Sequence, residues 1–340
     1  MKIIEKSFVF LQPKNFTMNK NKDSEWYNDF IKTVSNKYHK PRALIEKLME
    51  LLGIDDLAAR RRLQKKVLFS LDEIEKISVS WNISLDEIMG IGSDSINFKV
   101  YRTNFYNPQK KDYEYLQKTA KFLEGLKDNV GSEYIEVCNK LPRFLLVQFP
   151  QLLKFYTFRW INKYDLENCE TPYPKIIISD KMQKTIDGYL EASKKIKKSN
   201  YIFDRFLFEN LIADIQYFHE IEMITDAEKE LLKKDLFGLK VFLEKTTKTG
   251  FFPKTENEVN FYISRVNIDT NYSCFYSKEG MVFRIHVLGE YECKNYDPET
   301  VLLFKKLLEL KKKSSNLISV TGETVRIQYF KKLQGLIDGL

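Results

Sequence analysis

Residues 43–90, ALIEKLMELLGIDDLAARRRLQKKVLFSLDEIEKISVSWNISLDEIMG, carry the clearest architectural signal in this chain. Four short helices are legible in them, each with its own punctuation. Leu44, Leu48, Leu51 and Leu52 recur at steps of three and four, the spacing of one buried helical face. Gly53 follows as the residue that ends a helix in left-handed backbone, where glycine meets no Cβ clash. Asp55 or Asp56 caps a second helix, which the pattern carries to about Lys66. Ser70-Leu-Asp-Glu73 and Ser84-Leu-Asp-Glu87 are capping boxes that open the third and fourth helices. Leu71, Ile74, Ile77 and Trp81 form the apolar stripe of the third helix, and Ile83, Leu85, Ile88 and Met89 that of the fourth.

The second helix is unusual in charge. Arg60, Arg61, Arg62, Lys65 and Lys66 stand between Leu57 and Lys66 with no acidic residue among them. Ala59 and Leu63, four apart, can face a core, while Leu57, Arg61, Gln64 and Lys65 lie roughly opposite. Two small residues, Ala58 and Ala59, allow close packing on the preceding helix. A helix, a glycine turn and a second helix with a basic outer face fit the major groove of DNA.

These residues resemble the DNA-binding domain of lambda-repressor-like, Xre/Cro-type helix-turn-helix regulators. The family's turn is apolar, Gly, apolar, with a further apolar residue five places on; here these are Leu52, Gly53, Ile54 and Ala59. The run SLDEIEKISVSWNISLDEIMG is similar to the family's fourth and fifth helices. The chain most resembles bacterial members with a long C-terminal region, which share an A-x-x-RRL recognition helix, here Ala58, Arg61, Arg62 and Leu63, followed by Leu68, Phe69 and Ser70. Two positions depart from the pattern. Met49 stands where a small alanine is usual, and Arg62 where an apolar residue is common, so Leu63 must take over that packing.

The resemblance implies a sequence-specific transcriptional regulator that binds double-stranded DNA. It places Asp56, Leu57, Arg60, Arg61 and Gln64 against base edges. Arg62, Lys65 and Lys66 are read as phosphate contacts, which fix register without reading sequence. A single module buries only about 600–1,000 Å² on DNA, so a homodimer on paired half-sites is expected. The C-terminal region would supply the dimer contact, a surface for an effector or protein partner, or both. The competing reading is a non-enzymatic adaptor that binds a protein partner and does not touch DNA.

The formal net charge of +8 over 340 residues suggests an anionic partner, but the sign matters less than its concentration on one helix. With 43% hydrophobic and 30% charged residues the composition is that of a globular protein, long enough for two domains or more. Four scattered cysteines without C-x-x-C pairs argue for reduced thiols, and no run approaches the roughly eighteen apolar residues of a membrane span. A cytoplasmic protein without membrane contact is expected.

The expected division is a basic arm over 1–22, the helix-turn-helix domain over 23–92, a linker over 93–108, a helical region over 109–255 and a small α+β unit over 256–340. In the helical region, residues 132–141, 150–164, 179–198, 201–223 and 225–247 read as helices, the last opened by the capping box Thr225-Asp-Ala-Glu228. Residues 96–105 read as a strand or an extended linker. From residue 258, EVNFYISRVNI, YSCFYSKE and MVFRIHVLGEYEC alternate with a period near two and predict about three antiparallel strands. The fold class expected is therefore mainly α, with an N-terminal helix-turn-helix bundle.

No catalytic pattern stands out. His39, His219 and His286 are dispersed, His219-Glu220 lacks the second histidine of H-E-x-x-H, and no phosphate-binding glycine loop occurs. No enzyme activity, cofactor or metal is expected. The lysines 194, 195, 197 and 198 read as a solvated face.

Overall fold

A computed structural model of the chain describes residues 25–38, 41–81, 83–89, 96–125, 131–288 and 291–340. Its contacts divide into two compact units, Met1–Ile96 and Asn97–Leu340. The basic arm over 1–22 and residues 93–95 of the expected linker lie outside the described residues.

The first unit contains α1 (Glu25–Ser35), α2 (Pro41–Leu52), α3 (Asp56–Leu63), α4 (Leu71–Trp81) and α5 (Leu85–Met89). They enclose one small core. Phe30, Val34, Leu48, Ala59 and Ile77 are fully enclosed at its centre. Gly53 ends α2 with φ +67°, and its N–H donates to Met49 O at 2.9 Å. That reversal sends Ile54 back against the core and lets α3 lie across α2. The α3 cap is Asp55, whose carboxylate accepts from Ala58 N at 2.7 Å. The first box of α4 closes as its sequence requires: Glu73 N donates to Ser70 Oγ, and Ser70 N donates to Glu73 Oε2 at 2.9 Å. In the box at 84–87, the side chain of Glu87 lies outside the described residues.

Helix α3 is shorter than its charge pattern suggested. Lys65 takes the left-handed conformation (φ 59°), and the N–H groups of Lys65 and Lys66 turn back to the carbonyls of Arg62 and Arg61. These bonds form a Schellman stop with lysine where glycine is usual. Lys65 and Lys66 thus follow the helix and are not part of it.

The second unit is built on an eight-stranded sheet. Its strands are β1 (Lys99–Arg102), β2 (Glu133–Cys138), β3 (Lys198–Phe203), β4 (Glu258–Ile263), β5 (Tyr272–Tyr276), β6 (Met281–Val287), β7 (Tyr291–Asn295) and β8 (Asn316–Leu317). Their order is β1-β7-β6-β5-β2-β3-β4-β8; β2, β3 and β4 run parallel and the remaining pairings are antiparallel. Helices α6 (Lys110–Glu124), α7 (Arg143–Leu146), α8 (Pro150–Tyr164), α9 (Asp180–Ser193), α10 (Leu207–Glu220), α11 (Asp226–Thr249), α12 (Pro298–Lys313) and α13 (Glu323–Asp338) complete the unit.

The two sheet faces carry different chemistry. Ile135, Val137, Ile202, Cys274 and Phe283 point to one face, where α12 covers them through Val301, Phe304 and Leu308. The rings of Phe283 and Phe304 stack there at 3.8 Å. The opposite face carries Tyr134, Tyr201, Phe203, Phe261 and Phe275 beneath α6, α8, α9 and α11. On that face one cross-strand row reads Lys294, Arg284, Ser273, Glu136, Tyr201, Phe261. The next row brings Tyr101, Glu292 and His286 together.

This sheet overturns the expectation of a mainly α chain with a small terminal α+β unit: the fold is α+β, and strands from both sides of residue 255 share one sheet. Two errors account for the difference. Residues 132–141 form β2, not a helix; Tyr134, Val137 and Cys138 satisfy helical spacing by chance, because a short buried run lacks the alternation that marks a half-exposed strand. The end of the 179–198 helix and the start of the 201–223 helix are in fact β3, whose buried KSNYIF runs almost directly into the apolar stripe of α10. Both are central parallel strands. The terminal alternating region holds four strands, not three, because MVFRIHVLGEYEC contains both β6 and β7. The Thr225–Glu228 box and the helix it opens are present, with Thr225 N donating to Glu228 Oε2 at 2.8 Å.

Candidate functional site

The sequence points first to α3 and the turn after it. Ala59 is fully enclosed against α2, as its small size permits, and Leu63 is partly buried against the same core. These two contacts orient the helix. Leu57, 57% exposed, and the exposed Arg60, Arg61 and Gln64 lie on its outer side; Asp56 is exposed at its start, and Lys65 and Lys66 are exposed just beyond its end.

The basic residues differ in what they are free to do. Arg61, Gln64 and Lys66 make no side-chain bond among the described residues, so their donors are open to a ligand. Arg60 forms a two-point pair with Asp56 one turn back, its Nε donating at 2.6 Å and Nη2 at 3.1 Å. Both partners are well exposed, so a phosphate can replace Asp56 as the partner of Arg60 at little cost, with water taking up the freed carboxylate. Lys65 donates to Asn28 Oδ1 on α1.

Arg62 is different. It is half-buried, its Nε and Nη2 reach the two oxygens of Glu73 at 2.9 and 2.8 Å, and its Nη1 donates to Ala58 O. This explains an arginine at a usually apolar position. It ties α3 to the first turn of α4 and leaves the packing to Leu63. Arg62 is therefore a positioning residue more than a phosphate contact. Glu73→Ala removes the partner of Arg62 and half of the α4 capping box together. It should cost the first unit about 1–3 kcal/mol, read as a lower urea midpoint for that unit.

In the second unit, a buried ionic cluster lies on the sheet face under α6, and sequence reasoning did not find it. Glu292, 2% exposed, sits at its centre. Its carboxylate meets Arg143 Nη1 at 2.6 Å, Lys294 Nζ at 3.2 Å and Arg284 Nη1 at 4.0 Å, and accepts from Tyr115 Oη at 2.5 Å. Burial alone would raise the Glu292 pKa, but Arg143, Lys294 and the cations beside them hold it well below the usual carboxylate range. Burial, reinforced by Arg284 and Arg143, pulls Lys294 down to about 8. It also lowers His286 to about 4, so that ring is neutral at pH 7. Alternating charges on β6 and β7 look in sequence like the solvated face of an antiparallel sheet, and only the placement of α6 above them reverses that reading.

Glu136, also enclosed, accepts from Tyr134 Oη at 2.9 Å. Burial pushes its carboxyl up to about 7, from 4.5. A raised carboxyl pKa means that the folded state holds the proton more tightly. The stabilisation is complete below about pH 4.5 and is lost as pH rises through 7. Glu136→Gln keeps the Tyr134 bond and removes the titration. The wild type should therefore lose on the order of 2 kcal/mol relative to the variant between pH 4.5 and 8, measured by urea unfolding of both.

The lysines of the 194–198 run are mostly paired. Lys194 meets Glu191 at 2.6 Å, Lys195 meets Glu124 at 3.6 Å and Lys198 meets Glu258 at 3.4 Å. The four cysteines are free thiols; Cys274 and Cys293 lie on β5 and β7, with β6 between them. No helix among the described residues is long and apolar enough to cross a membrane. No protein-family model, no curated protein and no solved structure matches the chain.

Proposed function

We propose that the first unit binds double-stranded DNA sequence-specifically, with α3 in the major groove, and that the chain is a transcriptional regulator acting as a homodimer. The observation that carries this reading is the outer side of α3. Arg61 and Gln64 project there one turn apart with open donors, and Lys66 stands beyond them at the helix end. Arginine can donate in bidentate fashion to guanine O6 and N7, a contact worth about 1–3 kcal/mol of discrimination per base pair. Leu57 on the same side suits a thymine methyl. Arg60 would exchange Asp56 for a base or a phosphate. The likeness of the turn and of A-x-x-RRL to Xre/Cro-type regulators supports the same assignment.

Arg61→Ala should weaken binding to the selected site at least tenfold more than binding to random duplex. Lys66→Ala should weaken both alike and lower the salt slope by roughly one. Equal loss on both duplexes from Arg61→Ala would count against base reading.

A second reading is favoured by one observation. Leu68, Leu71 and Val79 are 64%, 78% and 77% exposed on the first unit, more apolar surface than DNA contact needs. A non-enzymatic adaptor would use that surface for a protein partner. A salt-titrated gel shift with the full chain separates the two: DNA binding falls steeply with salt, whereas an adaptor retains duplex only weakly at low salt.

A further inference from the structure

The sheet face of the second unit carries a cavity of about 350 Å³ between β1, β2, β5, β6, β7 and the helices α6 and α9, open to solvent beside Phe122. Its lining has two ends. Phe122, Leu123, Ile196, Phe275, Met281 and Val282 make one end apolar. Arg143, Arg284, Lys294, His286, Glu136 and Glu292 make the other end ionic. Such an arrangement matches a ligand with a hydrophobic body and one charged head.

The charge of the head follows from the pairing. Three cations, Arg143, Arg284 and Lys294, converge on one firmly ionised carboxylate, Glu292. Glu136, held close to half-protonated at neutral pH, offsets little of the surplus. Arg284 and Lys294 face each other directly across β6 and β7 and share the single carboxylate of Glu292, at 4.0 and 3.2 Å, which offsets these like charges only in part. Arg284 is also under-used. It is 4.0 Å from Glu292, and its Nε has no hydrogen-bond partner among the described residues; nor has His286 Nε2. The Arg284 Nε–H is a donor in every state, and a buried donor of this kind is costly unless something accepts from it, whereas Nε2 of the neutral His286 ring donates or accepts according to its tautomer.

Aromatic rings line the wall, but their faces are already used by the site's own cations. Lys294 lies 5.1 Å from the Tyr101 ring and 4.3 Å from that of Tyr115, and Arg284 lies 5.5 Å from that of Tyr134. The rings therefore do not form a cage for a cationic ligand. At the other end Phe122 and Phe275 pack T-shaped on each other, ring centroids 5.3 Å apart, and form an aromatic wall against which a flat ring can lie.

We infer that this cavity binds a small aromatic carboxylate, its head on Arg284 and Lys294 and its ring against Phe122, Phe275 and Val282. The site does not depend on whether the first unit binds DNA.

The test is calorimetric titration of the full-length protein with benzoate, phenylacetate and 2-naphthoate, each paired with its neutral amide, and with decanoate. At least one aryl carboxylate should bind with a Kd of about 1 mM or tighter, at least tenfold tighter than its amide and tighter than decanoate. Arg284→Gln should remove that preference for the acid over the amide. Val282→Trp, which fills the apolar end and leaves the ionic end intact, should abolish binding of acid and amide, with hydrogen exchange confirming an intact sheet in both variants. No binding by any aryl carboxylate, equal binding of acid and amide, tighter decanoate, or unchanged binding by a folded Val282→Trp protein would each overturn the assignment.

Discussion

Replacing Glu292 by alanine is expected to destabilise the second unit by about 3–5 kcal/mol, because it strands a group of buried cations. Arg143, Lys294 and Arg284 all lie within 4.0 Å of this one carboxylate, and their side chains are 14%, 7% and 14% exposed. Tyr115 would lose its acceptor at the same time. In a unit of this size the loss corresponds to a fall of roughly 10 °C in its thermal midpoint. Glu292→Gln should be nearly as damaging although it preserves shape, because what is lost is charge and not volume. Both variants can be followed by urea unfolding monitored by circular dichroism. A loss under about 1 kcal/mol in Glu292→Ala would mean that water already compensates these cations, and the ionic end of the cavity would then be less enclosed than its geometry indicates.

The second large effect belongs to the first unit. Phe30 is fully enclosed, sits 6.2 Å from Tyr27 and meets Phe69 edge to face at 6.1 Å. Tyr27 Oη in turn accepts from Phe69 N at 2.8 Å, so the same few atoms fasten α1 to the segment that follows α3. Phe30→Ala removes the ring that fills this junction and should cost about 3–5 kcal/mol. A five-helix unit with a core this small has little stability beyond that. Hydrogen exchange should show the amides of α1 to α4 losing protection, while the sheet amides of the second unit keep theirs. DNA binding should be lost with the helices. Retained protection over α2 and α3 would show that the orientation of α3 does not rest on Phe30.

The two units differ in how much of them can be read from sequence. In the first, every turn is local: Gly53 reverses the chain, Asp55 caps α3, and Ser70 with Glu73 opens α4. The information lies within four residues of where it acts. Even there, the end of α3 is not legible, because a lysine at positive φ carries no compositional mark. Arg62 reads as a phosphate contact in the sequence because nothing near it names Glu73, eleven residues on, as its partner. In the second unit the decisive contacts are long-range. Strands β2 and β3 are paired through partners 60 and more residues away, and a six-residue apolar run is ambiguous until its neighbours are known. The ionic cluster joins residue 115 to residues 284–294. Each charged residue there follows the alternation of an exposed strand, and its burial depends on a helix that sequence alone does not place.

The regulator assignment requires that the outer side of α3 read bases. Selection of bound duplexes from a random pool by the full-length protein tests this most directly. A short motif with a guanine at the position Arg61 serves should be enriched, present as two half-sites about one helical turn apart, with the guanine preference lost in Arg61→Ala. An unenriched pool, or a motif unchanged by Arg61→Ala, would contradict that assignment.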